Sequence, residues 1–161
     1  APGTWQLQTD GANDSAQTIT GAADNGAVAV RPVDRDAQED AREIAWSGRS
    51  RGTVQIVGPR AVDLSKAGPL SLTFDLRVDE APAGPVMLEF RSAGGTRRLD
   101  IAARLTALAG KGWQTLAIPL ACLPGAGLDR VTAPLVLSSS GRARLTLAAA
   151  ALSPAKEPTC P

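Results

Sequence analysis

The chain contains no histidine and no tyrosine, and these two absences remove a large part of enzyme chemistry. Without imidazole there is no Ser-His-Asp or Cys-His nucleophile system, no histidine general base and none of the usual zinc ligand sets. Only two cysteines occur, Cys122 and Cys160, and their spacing fits neither a CxxC redox pair nor a metal site. Long apolar runs are also missing. The longest, such as Ala148 to Leu152, fall far below the roughly 20 residues that span a bilayer, and no charged flank followed by an apolar stretch opens the chain. Neither a membrane span nor a signal peptide is therefore read from it. Seventeen basic against sixteen acidic residues leave a formal charge of +1. No long Lys/Arg cluster appears, so a nucleic-acid interface has no footprint. Neither GxGxxG nor GxxxxGK followed by Ser or Thr occurs, so nothing looks built to cradle a nucleotide phosphate.

What is present is strand grammar. A length of 161 residues is that of one domain with a proper core, and residues 1–161 are read as such. The clearest element is Leu70 to Val78, where Leu70, Leu72, Phe74, Leu76 and Val78 alternate with Ser71, Thr73, Asp75 and Arg77. One face is apolar and the other wet, as in a half-buried antiparallel strand. The same period of two marks Ala27 to Val33, Arg42 to Ser47, Thr53 to Val57 and Val86 to Phe90. Gly, Pro, Asn and Asp clusters separate these runs, including Asp24-Asn25-Gly26.

The stretch Gly110 to Leu123, GKGWQTLAIPLACL, joins a turn, an indole, a strand and a cysteine. Leu116, Ile118 and Leu120 share its buried face, and Pro119, which cannot donate to a ladder, puts the strand at an edge or ends it there. Ala102 to Ala109 has room for a short helix. Arg144 to Leu152 is read as a strand because Leu145 and Leu147 alternate, although Ala148 to Ala151 favours helix intrinsically. Roughly ten short strands, no internal repeat and at most one or two short helices define the expected fold: an all-β antiparallel sandwich of jelly-roll type.

The cysteines are expected to form a disulfide that pins the Pro-rich tail, residues 153–161, to the sandwich, the alternative being two buried thiols. The bridge implies an oxidising compartment. Carboxylate chemistry has its densest source in Asp34, Asp36, Glu39 and Asp40, yet four acids on one loop do not make the two-sided pair of a glycosidase. The rhythm Asp34-x-Asp36-x-Gln38-x-Asp40 resembles the oxygen ligands of a calcium loop. Against this, Glu39 stands where such a loop needs glycine and Ala45 where it needs a bidentate glutamate. No cofactor is expected; Asp34, Asp36 and Asp40 are the residues a structural calcium would use, and a solvated acidic loop is the other reading. For carbohydrate, Trp46 with Arg42 on its strand face, and Gln38 and Asp40 just upstream, forms the candidate site, since an indole stacks on a sugar ring while polar neighbours bind hydroxyls. The competing reading packs Trp46 and Trp113 into the core or its margin, and Trp5 over one end.

Read together, AQEDAREIAWSG (37–48), VDLS (62–65), LTFDLRVDEAP (72–82), LDIAARLTALAGKGWQTLAIPLACL (99–123) and LDRVTAPLVLSSSGRARLTL (128–147) resemble the ExoP-type galactose-binding-like domain at the C-terminus of many bacterial family 3 glycoside hydrolases. The run GKGWQTLAIPLAC followed by VTAPLVL is the most specific part. Leu123 departs from it, because phenylalanine commonly follows that cysteine in relatives. The resemblance implies a non-catalytic sandwich appended to a periplasmic or exported β-glucosidase or exo-β-glucanase. Its partners would be the catalytic domains of its own parent chain and β-glucan, and Ala1-Pro2 at the start agrees with a segment of something longer. The alternative is a structural or interaction module that binds no glycan.

Overall fold

The computed structural model describes residues 6–11, 17–18, 23–36, 41–57, 61, 63–66, 68–123 and 127–155. Among these, twelve strands and one helix follow in the order β1 (Gln6–Gly11), β2 (Gln17–Thr18), β3 (Ala23–Asp24), β4 (Val28–Val33), β5 (Ala41–Ser47), β6 (Gly52–Val57), β7 (Leu70–Glu80), β8 (Val86–Ser92), β9 (Gly95–Asp100), α1 (Ala102–Leu108), β10 (Gln114–Pro119), β11 (Val131–Ser139) and β12 (Arg142–Pro154). A 3-10 turn, Leu120–Cys122, follows β10. The first sheet has the order β2-β1-β6-β11-β8-β9 and the second β10-β7-β12-β5-β4-β3. Every pairing is antiparallel. This is the sandwich that the period-two pattern implies.

The inward sets of both sheets meet in one core. Ile44, Trp46, Phe74, Leu76, Leu116, Ile118 and Leu145 come from the second sheet; Val54, Leu88, Phe90, Leu135 and Leu137 come from the first. The short helix buries Leu105 in the same core. Where β5 hands over to β6 the chain changes sheet, and the two layers touch closely. A Cβ on Gly52 would lie 2.7 Å from the Val28 Cβ, so glycine alone fits there, and its carbonyl accepts the Trp46 indole N–H at 3.0 Å.

Pro119 behaves as its missing donor requires: β10 is an edge strand and ends at that residue. The alanine run 148–151 is strand rather than helix, because it continues β12, whose residues 144–147 are laddered on both sides by β5 and β7, and stays on β7 through Ala148 and Ala151, which outweighs intrinsic preference. A bulge between Ala148 and Ala151 relieves the register, and Ala149 takes φ 53° there. Several strand ends run a residue or two past the sequence reading, as in β7, β8 and β12. Asp24 closes β3 instead of belonging to the turn, because the turn's amide donors are met by side chains: Gly26 N–H by Asp24 Oδ1, and Ala27 and Val28 N–H by Asn25 Oδ1. β9 begins at Gly95, opposite Ser92, and β11 at Val131, also opposite Ser92, so both flank β8 from its C-terminal end. Trp5 and residues 156–161 lie outside the described residues. No helix among the described residues is long and apolar enough to cross a membrane.

Candidate functional site

Alternation along each strand of the second sheet leaves a polar outward face, and the register aligns it into rows. Arg31 of β4 faces Glu43 of β5, Glu43 faces Thr146 of β12, and Thr146 faces Arg77 of β7. Arg31 donates to Glu43 at 2.8 and 3.2 Å. Arg77 Nε donates to Asp79 Oδ1 at 2.6 Å, and Thr146 Oγ1 donates to the other Asp79 oxygen at 2.7 Å. In the next row Asp75 stands opposite Thr115 of the edge strand, whose hydroxyl donates to it at 2.7 Å.

Arg35 joins this row from far away in the strand order. β12 and β5 stand between β7 and β4, a distance of roughly 14 Å at the usual strand spacing. Arg35, two residues past the end of β4, therefore bridges that separation. Arg35 Nη1 donates to Asp75 Oδ2 at 2.7 Å, and its guanidinium lies 4.2 Å from the centroid of the Trp113 ring. Arg77 approaches the same ring at 5.5 Å. Trp113 is only half-buried. Arg35 thus lies over a face of the indole, and what the half-buried ring leaves open stands beside fixed guanidinium and carboxylate groups, so an apolar surface and oriented donors and acceptors, the two kinds of contact a sugar ring offers, occur together.

At the other end of the face, Ala29 and Ala45 oppose one another across β4 and β5. Their small side chains leave the floor low. An open cleft of about 460 Å³ lies over them, walled by Asp24, Arg49, Glu80, Arg142 and Arg144. Arg142 Nε donates to Glu80 Oε1 at 2.7 Å and holds one wall in place.

The arrangement does not supply a proton donor at Asp75. Its carboxyl is held below the ordinary value, first by the Arg35 hydrogen bond and then by that of Thr115, whereas a glycosidic acid needs its pKa raised. The depressed value has a stability consequence. In acid the unfolded chain protonates Asp75 before the folded protein does, so the unfolded state binds more protons and stability falls as pH drops below the unfolded value of 3.8. Asp75→Asn is expected to flatten this acid limb of the stability profile, measured by urea unfolding from neutral to strongly acid pH. An unchanged slope would show that the Arg35 contact does not form in solution.

The structure corrects the sequence reading of the sugar platform. Trp46 is 2% exposed and has its only ring donor engaged inside the sandwich, so its faces are closed to a ligand. Arg42 lies on the same inward side of β5 and gives Nη1 to the Ala41 carbonyl at 3.0 Å. Gln38 and Asp40 lie outside the described residues. Asp34 and Asp36 are exposed, Asp40 is again outside, and among the described residues no three acidic or thiolate side chains are gathered for a metal. Arg35 adds a fixed positive charge 3.7 Å from Asp36. Cys122 is buried and is not a free thiol; Cys160 lies outside the described residues. The residues that sequence reasoning passed over are Arg35, Asp75, Arg77 and Asp79. Strand parity places three of them outward, but nothing linear brings Arg35 or Trp113 to them.

The same two-layered antiparallel fold occurs in solved carbohydrate-binding modules. The family 11 carbohydrate-binding module from Clostridium thermocellum, solved in complex with a β-1,3-1,4-mixed-linked tetrasaccharide, superposes with a TM-score of 0.58 at 14% identity, over 94% of this chain and 89% of that one. The family itself is shown by sequence: residues 2–152 match the Exop_C model, described as galactose-binding domain-like, and the chain belongs to that family. The extra C-terminal domain of the exo-1,3/1,4-β-glucanase ExoP from a Pseudoalteromonas species superposes with a TM-score of 0.79 at 22% identity, covering 97% of this chain and 90% of that domain. Against the larger ExoP structure the TM-score is 0.80 at 24% identity, over 93% of this chain and 19% of that one, so the chain spans about a fifth of that relative. The likeness is thus to the extra domain and not to a catalytic one. No curated protein matches the chain.

Proposed function

We propose that the chain is a non-catalytic accessory domain of a bacterial family 3 glycoside hydrolase acting on β-glucan, and that the outward face of the second sheet holds the glucan. The observation that carries this reading is Trp113, half-buried beside Arg35, Asp75 and Arg77 on an open face. The Exop_C membership and the solved likeness to a module that binds a mixed-linked tetrasaccharide support it. The remaining parts of the proposal are a parent that is periplasmic or secreted, a Cys122–Cys160 bridge suited to that compartment, and a place beside the parent's catalytic domains.

Titration with laminarin and mixed-linkage β-glucan oligosaccharides, followed by tryptophan fluorescence, tests the glycan site. The wild type is expected to respond, and Trp113→Ala to bind roughly tenfold more weakly, about 1.4 kcal/mol, while keeping its melting transition. Silence of the wild type across all β-glucans sinks the reading.

A further inference from the structure

The outward side of the first sheet carries a second charged construction, on the opposite layer from Trp113. Glu89 of β8 is 2% exposed, although alternation turns it away from the core into which its neighbours Leu88 and Phe90 point. Its Oε2 accepts from Arg91 at 2.8 and 3.0 Å. Its Oε1 has Arg98 Nη2 at 3.4 Å and Arg51 Nη2 at 4.0 Å. Arg91 Nη1 also donates to Gln55 Oε1 at 3.3 Å, and Arg51 Nη2 to Ser138 Oγ at 3.5 Å.

A single Arg91 already satisfies one oxygen of the carboxylate. Two further guanidinium groups converge on the other, so three positive charges meet one negative charge and an excess of two remains. The Arg51 and Arg98 side chains stay 54% and 62% exposed. The buried carboxylate thus holds two exposed guanidinium groups side by side, and this preorganisation lowers the ordering cost of binding an oxyanion between them.

We propose that Arg51 and Arg98, aligned by Glu89, form a site for an oxyanion-bearing polysaccharide, one whose sugars carry carboxylate or sulfate groups. A hydrated polyanion fits this surface better than a protein partner does. Protein docking faces have an apolar centre, whereas the centre here is an ion cluster, and no large hydrophobic residue is exposed among the described residues.

Affinity electrophoresis of the 161-residue chain in gels containing polygalacturonate, or a sulfated galactan, tests the proposal. Retardation is expected in at least one gel, and it should fade as salt rises. The gel that retards identifies the oxyanion as carboxylate or sulfate. The double variant Arg51→Gln/Arg98→Gln is expected to lose roughly tenfold in affinity, with an unchanged circular dichroism spectrum. Its fluorescence response to mixed-linkage glucan should also be unchanged, which keeps this site separate from the Trp113 face. Absence of retardation of the folded wild type in both gels, equal retardation of the double variant, or equal retention by poly-glutamate would overturn the site.

Discussion

Trp46→Ala is expected to destabilise the domain by about 3 to 5 kcal/mol, more than Trp113→Ala. The reason is local. Trp46 is one of the largest fully buried side chains, it stands where β5 passes to the other sheet, and its N–H is the partner of the Gly52 carbonyl. Removing it opens a cavity between the sheets and takes away that carbonyl's indole donor. The glycine at position 52, against which Val28 packs at 2.7 Å from a hypothetical Cβ, prevents β6 from moving in to fill the space without strain. Urea unfolding should show the loss as a lower midpoint at constant m-value. Glucan affinity, measured well below the transition, should persist. A Trp46→Ala protein that keeps its midpoint and loses glucan binding would contradict the assignment and return the site to β5.

Reduction of the proposed Cys122–Cys160 bridge is expected to cost about 4 kcal/mol in the chain-entropy model. The described strands end on the same side of the second sheet, close enough for such a bridge. Ser71 of β7 pairs on one side with Pro119, three residues before Cys122, and on the other with Ser153, seven before Cys160. Two strand spacings, roughly 10 Å, separate those exit points, and a few residues of chain cover that distance with ease. Ala155 N–H donating to the Pro69 carbonyl at 3.1 Å keeps the chain on this side. Thermal melts with and without reductant measure the effect, with Cys122→Ser as the genetic counterpart. Two reactive thiols in the denatured, unreduced protein would remove the bridge altogether.

Much of the site was already present in strand parity. In AREIAWS, Ile44 and Trp46 fall on one side, so the indole is inward once Ile44 is taken as core. In the stretch around β10, Leu116 and Ile118 are inward, which turns the odd positions, Trp113 and Thr115 among them, outward. The choice of Trp46 as the platform gave more weight to its polar sequence neighbours than to this alternation. In the acidic loop the linear spacing shows only the carboxylates and their rhythm, while Arg35 among them bonds Asp75 forty residues away, a contact no local pattern announces.

The sequence by itself determined the class of fold, the edge position of Pro119, the short helix and the family, because alternation, missing donors and motif spacing are local properties of the chain. The tertiary structure alone decided which outward residues share a surface. The order β10-β7-β12-β5-β4 arises from long-range pairing and core packing, and it places Arg35, Asp75, Arg77 and Trp113 together on one face. The pairing of β8 with β9 and β11, and of β11 with β6, in the same way gathers three arginines around Glu89 on the other.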